Sequence, residues 1–147
     1  MKLISFGALL LIACLAIGCG DDEEKSVTKA EYISQADAIC KQQNEKKDAE
    51  LSEAFEELQK RKTAAGRADE EKIIGDVALP PIAEMTEEVA DLPLPAEQGD
   101  EAKKFVEEME TAVSEVEEDP AQALNGEPFG KAKARATRFG FKDCNNF

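Results

Sequence analysis

The sequence predicts an all-α fold, an up-and-down bundle of about four helices, and three observations carry that prediction. Apolar residues recur at helical spacing in four separate stretches. Capping residues stand where those stretches begin, and Gly or Pro stands where they end. The β-branched residues are scattered and no alternating run survives four positions, so nothing reads as a strand.

The first helix has a sharp start. Thr28 and Glu31 form a T-x-x-E capping box, and Val27 is placed to staple onto Tyr32. Its apolar stripe is Ile33, Ala36, Cys40, Leu51, Ala54, Phe55 and Leu58, with a polar gap from Lys41 to Glu50. Lys60-Arg61-Lys62 suit the negative end of the helix dipole, and Gly66 reads as the stop. Asp69-Glu70-Glu71 sit where a second helix favours negative charge. Its stripe is Ile74, Val77, Ile82, Met85, Val89 and Leu92, and Pro80-Pro81 predicts a kink or a restart within it. Asp91-Leu92-Pro93-Leu94-Pro95 reads as an extended connector.

The third helix is the clearest. Ala102, Phe105, Val106, Met109, Ala112, Val113 and Val116 fall on one face, and Asp119-Pro120 ends it and caps a short turn of helix to Leu124. Gly126-Glu127-Pro128 breaks the chain again. The last helix carries Phe129, Ala132, Ala136 and Phe139, with Gly140 as its terminator and Phe141 able to fold back.

At 147 residues the chain is long enough for one domain. Three segments divide it: a signal peptide at 1–18, an acidic tether at 19–27 with disorder expected over 20–26, and the helical bundle domain at 28–147. Met1-Lys2 gives a positive start, and the apolar run from Leu3 to Ile17 is too short to span a bilayer. It stops at Leu15-Ala16-Ile17-Gly18-Cys19, which resembles the lipobox of bacterial lipoproteins, although Ala16 stands where Leu is preferred. That resemblance implies that Cys19 is lipidated and becomes the first residue after cleavage. Cys14, in Leu11-Ile12-Ala13-Cys14, is a second candidate, but it would leave Leu15-Ala16-Ile17 on the mature chain. The expected location is therefore the outer face of a cell membrane, or the periplasm, with the membrane held through the N-terminal lipid. With Cys14 lost and Cys19 acylated, Cys40 and Cys144 remain, and in an oxidising compartment they are expected to form one disulfide that ties the bundle.

Tyr32-Ile33-Ser34-Gln35-Ala36-Asp37-Ala38-Ile39-Cys40 resembles the opening of a group of small actinobacterial-type lipoproteins with paired N- and C-terminal cysteines. The ending Phe139-Gly140-Phe141-Lys142-Asp143-Cys144 is similar to theirs too. The resemblance supports the anchor and the disulfide and brings no activity with it.

Charge and composition narrow the function. Acidic side chains number 32 against 18 basic, a net charge of −14, which argues against nucleic acid as a partner. There is no His, so the commonest general base and the commonest transition-metal ligand are both missing. Carboxylate pairs such as Glu107 with Glu110 read as a solvated face, not as a metal site. The serines lack a histidine partner and no Gly-rich loop follows a strand, so no catalytic residue, metal or cofactor is expected. Lys131, Arg135, Arg138 and Lys142 form a basic stripe expected to lie against the acidic third helix.

The expected function is that of a non-enzymatic, lipid-anchored extracytoplasmic module that binds a protein or the cell envelope. The alternative is a carrier or sensor of a small ligand, and a specific place suggests itself. The polar gap in the first helix and the proline pair in the second fall at the same height if the chain reverses near residue 65. Asn44 and Lys47 then face the proline break, where Lys47 could satisfy the carbonyls of Asp76 and Val77. The sharper expectation is a polar niche lined by Asn44 and Lys47 that holds a small anionic ligand.

Overall fold

The computed structural model describes residues 27–61 and 66–147. The leader, Cys19, Cys14, most of the acidic tether and the centre of the first interhelical turn lie outside the described residues. Six α-helices follow in order: α1 (Lys29–Lys60), α2 (Arg67–Ile73), α3 (Leu79–Ala90), α4 (Gly99–Glu118), α5 (Ala121–Asn125) and α6 (Gly130–Phe139). A single π-helical turn, Ile74–Ala78, joins α2 to α3 without a break. The fold is therefore an all-α bundle of four long helical runs with one short helix, α5, inserted before the last. Among the described residues no helix is long and apolar enough to cross a membrane.

The capping box at the start of α1 forms as its residues dictate. The Thr28 N–H donates to Glu31 Oε2 at 2.8 Å, and the Glu31 N–H donates to Thr28 Oγ1 at 3.2 Å. Val27 packs against the core, and its carbonyl accepts the Ala96 N–H at 2.9 Å, which ties the α3–α4 connector to the start of the domain. α1 runs antiparallel to the α2–α3 run. Arg61 meets Asp69, Lys46 meets Glu84, and the buried Gln43 amide donates to Glu88 at 2.8 Å. Gly66 does not stop α1, as expected from sequence. Arg61 caps that helix, and Gly66 opens α2, where its N–H is taken by Asp69 Oδ2 at 3.1 Å. Phe55 also departs from expectation, being 46% exposed because the C-terminal part of α1 has a partner on only one side.

Pro80-Pro81 do not interrupt the helical run. The π turn absorbs them: the Leu79 N–H reaches back to Ile74 O, and the prolines occupy the first turn of α3, where an amide donor is dispensable. Gly75 faces Pro120 at the start of α5, and a Cβ there would lie 3.4 Å from Pro120 Cγ, an ordinary contact.

All seven stripe positions of α4 are buried. All but Ala112 join Tyr32, Ala36, Ile82, Met85, Val89, Ala136 and Phe139 in one continuous core. α6 ends at Gly140, whose φ of 106° suits glycine, and the Gly140 and Phe141 amides both donate to Ala136 O. That turn folds Phe141 into the core, 4.9 Å from the Phe139 ring and 5.0 Å from Phe105. The tail is then fastened. Cys40 and Cys144 are disulfide-bonded with Cα atoms 5.0 Å apart. The Asp37 carboxylate accepts the N–H groups of Lys142, Asp143 and Cys144 at 2.9–3.2 Å. The basic stripe meets α4 as its charge pattern implies. Arg135 forks onto Glu108 with two bonds of 2.8 Å and also reaches Glu101. Hydrogen bonding to Arg135 holds the Glu108 carboxyl below the usual carboxylate range and pushes the guanidinium further up.

Candidate functional site

The side of the bundle at the π turn is built differently. Here α1 contributes Lys47 and Leu51, and the π turn brings Ile74 and Ala78. α4 contributes Val116, and α5 offers only Ala123. The Gly126–Gly130 connection and the tail residue Phe147 complete the wall. Small side chains at Ala78, Ala123, Gly126 and Gly130 leave volume that the larger ones do not fill. The result is a cavity of about 440 Å³, within the range of roughly 300–1,000 Å³ that ligand sites occupy. Its lining is mostly apolar. Phe129 and Phe147 meet edge-on with centroids 5.5 Å apart, and Leu79 and Ile82 are buried behind them.

Charge enters at three points: Lys47, Lys133 and Glu127. The Lys47 side chain is only 12% exposed, and its ammonium lies 3.3 Å from Asn44 Oδ1 and 3.9 Å from the exposed Asp48 carboxylate. Burial lowers its pKa from the ordinary lysine value; Asp48 partly opposes this, and the nearby Lys133 adds to it. Lys133 Nζ sits 5.5 Å from the Phe147 ring centroid, a cation–π contact. Among the described residues Lys133 makes no ion pair. α6 begins at the cavity rim with Phe129 as its N-cap and no side-chain cap. Its unsatisfied first-turn amides add positive potential there.

The two residues singled out by sequence are thus in one place but do different things. Lys47 lines the cavity. Asn44 does not: its Nδ2 donates to Asp143 O at 3.2 Å while its Oδ1 accepts from Lys47, so it links the lysine to the fastened tail. Lys47 is engaged with Asn44 and not with the carbonyls of Asp76 and Val77, because the π turn redirects that segment. A concave site does lie beside Lys47, but its lining is mostly apolar and does not include Asn44. Sequence reasoning missed Lys133, Phe129 as a lining residue, and Phe147. These lie far along the chain from Lys47, and only the packing of α6 and the tail brings them to it.

On the opposite face of the π turn, Asp76, Glu84, Glu87 and Glu117 line a shallow depression, and Lys46 takes up Glu84 at 2.6 Å. Among the described residues no group of three or more carboxylates or cysteines is placed to hold a metal ion. Comparison with protein-family models, with curated proteins and with solved structures returned no match.

Proposed function

We propose that this chain is a lipid-anchored, extracytoplasmic binding domain without enzymatic activity, and that its site is the cavity at the π turn, which takes a small, largely apolar molecule. The observation that carries the proposal is the 440 Å³, mostly apolar cavity with a half-buried lysine at its wall. The leader, the lipobox-like sequence before Cys19 and the acidic stretch behind it support the anchor and the location. Binding a protein or the envelope through a surface patch has less support. Among the described residues the exposed large apolar side chains are Phe55, Leu94 and Leu124, on three separate elements, and single exposures of that kind are ordinary.

The test fills the cavity. In the mature chain from residue 19, oxidised and carrying Cys19→Ser, the neutral fluorescent probe phenylnaphthylamine should bind with saturable enhancement. Ala123→Trp should abolish that binding while leaving the helical circular dichroism spectrum unchanged. Equal binding by both proteins would remove the cavity as the site. The anchor has its own test: intact mass of membrane-extracted protein should show a chain beginning at Cys19 with an acyl adduct.

A further inference from the structure

We infer that the occupant of the cavity is a free organic monoanion with a single acyl chain or ring system, its acidic head held by Lys47 and Lys133 and its apolar body against Ile74, Leu79, Phe129 and Phe147. This rests on the cavity being the binding site and adds the chemistry of what it binds.

The argument begins with charge balance. In a chain with a net charge of −14, most cations on this bundle have an acidic partner close by. The pattern weakens at the cavity: Lys133 has no ion pair among the described residues, and the carboxylate beside Lys47, that of Asp48, is exposed and 3.9 Å away. The cavity's lining carries two ammonium groups and one carboxylate, the exposed Glu127, while Asp48 stands outside the lining, so within the lining one positive charge is in excess. Lys47 spends one of its three donors on a neutral amide oxygen, and its nearest carboxylate is at 3.9 Å. A half-buried cation whose one carboxylate is exposed and at 3.9 Å gains from a second anion at closer range. A single negative charge matches the excess, and a dianion would overshoot it. The depressed pKa of Lys47 reports the same unmet need.

The rest of the lining sets the body of the ligand. Two phenyl rings and the aliphatic side chains offer no pattern of donors that would read a sugar or a peptide. At about 440 Å³ the cavity suits one chain or ring system and not the paired chains of a phospholipid. The acidic surface of the domain also repels an anionic bilayer, so a free molecule is the favoured source.

Two probes separate this inference from the reading it rests on. Anilinonaphthalene sulfonate and phenylnaphthylamine share one aromatic body and differ in the anionic group. The sulfonate should bind the oxidised mature chain about ten-fold more tightly than the neutral probe, the worth of one charge-assisted contact. Lys47→Met should bring the two probes to equal affinity, and Lys133→Gln should lower the ratio of sulfonate to neutral-probe affinity a few-fold, that ratio being the readout in each variant. Lys133 is exposed, so its variant keeps the test decisive if Lys47→Met fails to fold. Free decanoate should displace the sulfonate, and phosphatidylglycerol vesicles should not. If the neutral probe binds as tightly as the sulfonate in the parent chain, the monoanion is wrong and the cavity reading stands. If vesicles displace the probe, the free-molecule assignment falls. If neither probe binds, both readings fall together.

Discussion

Two regions of the bundle are built from the same four helical runs and come out as opposites. In one, Tyr32, Phe105, Phe139 and Phe141 interlock, and the tail is fastened by the Cys40–Cys144 bond and by Asp37. In the other, a π turn, a five-residue helix and two glycines meet, and the space between them stays open. Close packing costs nothing in accessibility where nothing needs to enter. An open site gives up packing energy, and the closed region supplies the surplus that lets the fold tolerate it.

The comparison can be broken by experiment. The largest effect belongs to the staple. Replacing Cys40 and Cys144 together by Ala frees a loop spanning 104 residues, and urea unfolding should register a loss of up to about 4–5 kcal/mol. Phe141→Ala in the closed region should cost about 3–5 kcal/mol. Phe129→Ala, half-buried at the cavity, should cost no more than about half as much, since less apolar area leaves water there. Equal losses would mean that the two regions are not differently packed. Asp37→Ala strands three backbone donors and should cost about 1.5–3 kcal/mol, with faster hydrogen exchange at Lys142, Asp143 and Cys144.

The smallest effects are the most diagnostic, because the two regions should respond to alkali in opposite senses. The Tyr32 hydroxyl is buried without a hydrogen-bond partner among the described residues, and burial pushes its pKa up to about 12. Its folded value lies above the ordinary one, so its stabilising contribution is complete below about pH 10 and is lost as pH rises toward 12. Tyr32→Phe should change neutral stability by less than about 1 kcal/mol, neutral to stabilising, and should flatten that alkaline loss. Lys47 has a folded value below the ordinary one, so the unfolded chain holds the extra proton in between. Stability should therefore rise with pH across that window, and Lys47→Met should raise neutral stability and abolish the rise. Denaturant midpoints measured from neutral pH upward for both variants distinguish the two slopes.

Much of the closed region was legible in the sequence. The α4 stripe, the Thr28–Glu31 box, the Gly140 terminator and the partnership of Cys40 with Cys144 all rest on local spacing or on elimination, and local rules sufficed. Asp37 did not announce itself, because its three partners lie more than 100 residues away and present backbone, which has no sequence signature. The open region was legible only in part. Lys47 stood out as a polar residue on an apolar seam, and the proline pair marked the facing segment. That the prolines would be absorbed by a widened turn depends on how α2 and α3 each register against α1, a tertiary constraint that helix propensity does not encode. Phe55 was misplaced for a related reason: it lies on the stripe, but the stripe outruns its cover.

The π turn also limits how this gene can vary in length. Each residue of an α-helix advances the face by about 100°, and the one residue taken up by Ile74–Ala78 sets the phase between Ile73 before it and Ile82, Met85 and Val89 after it. Deleting a single codon here would give a more regular helix and a worse protein, with one half turned away from its core. In-frame changes of three or four residues keep both faces inward, so descendants of this chain should differ here by whole turns.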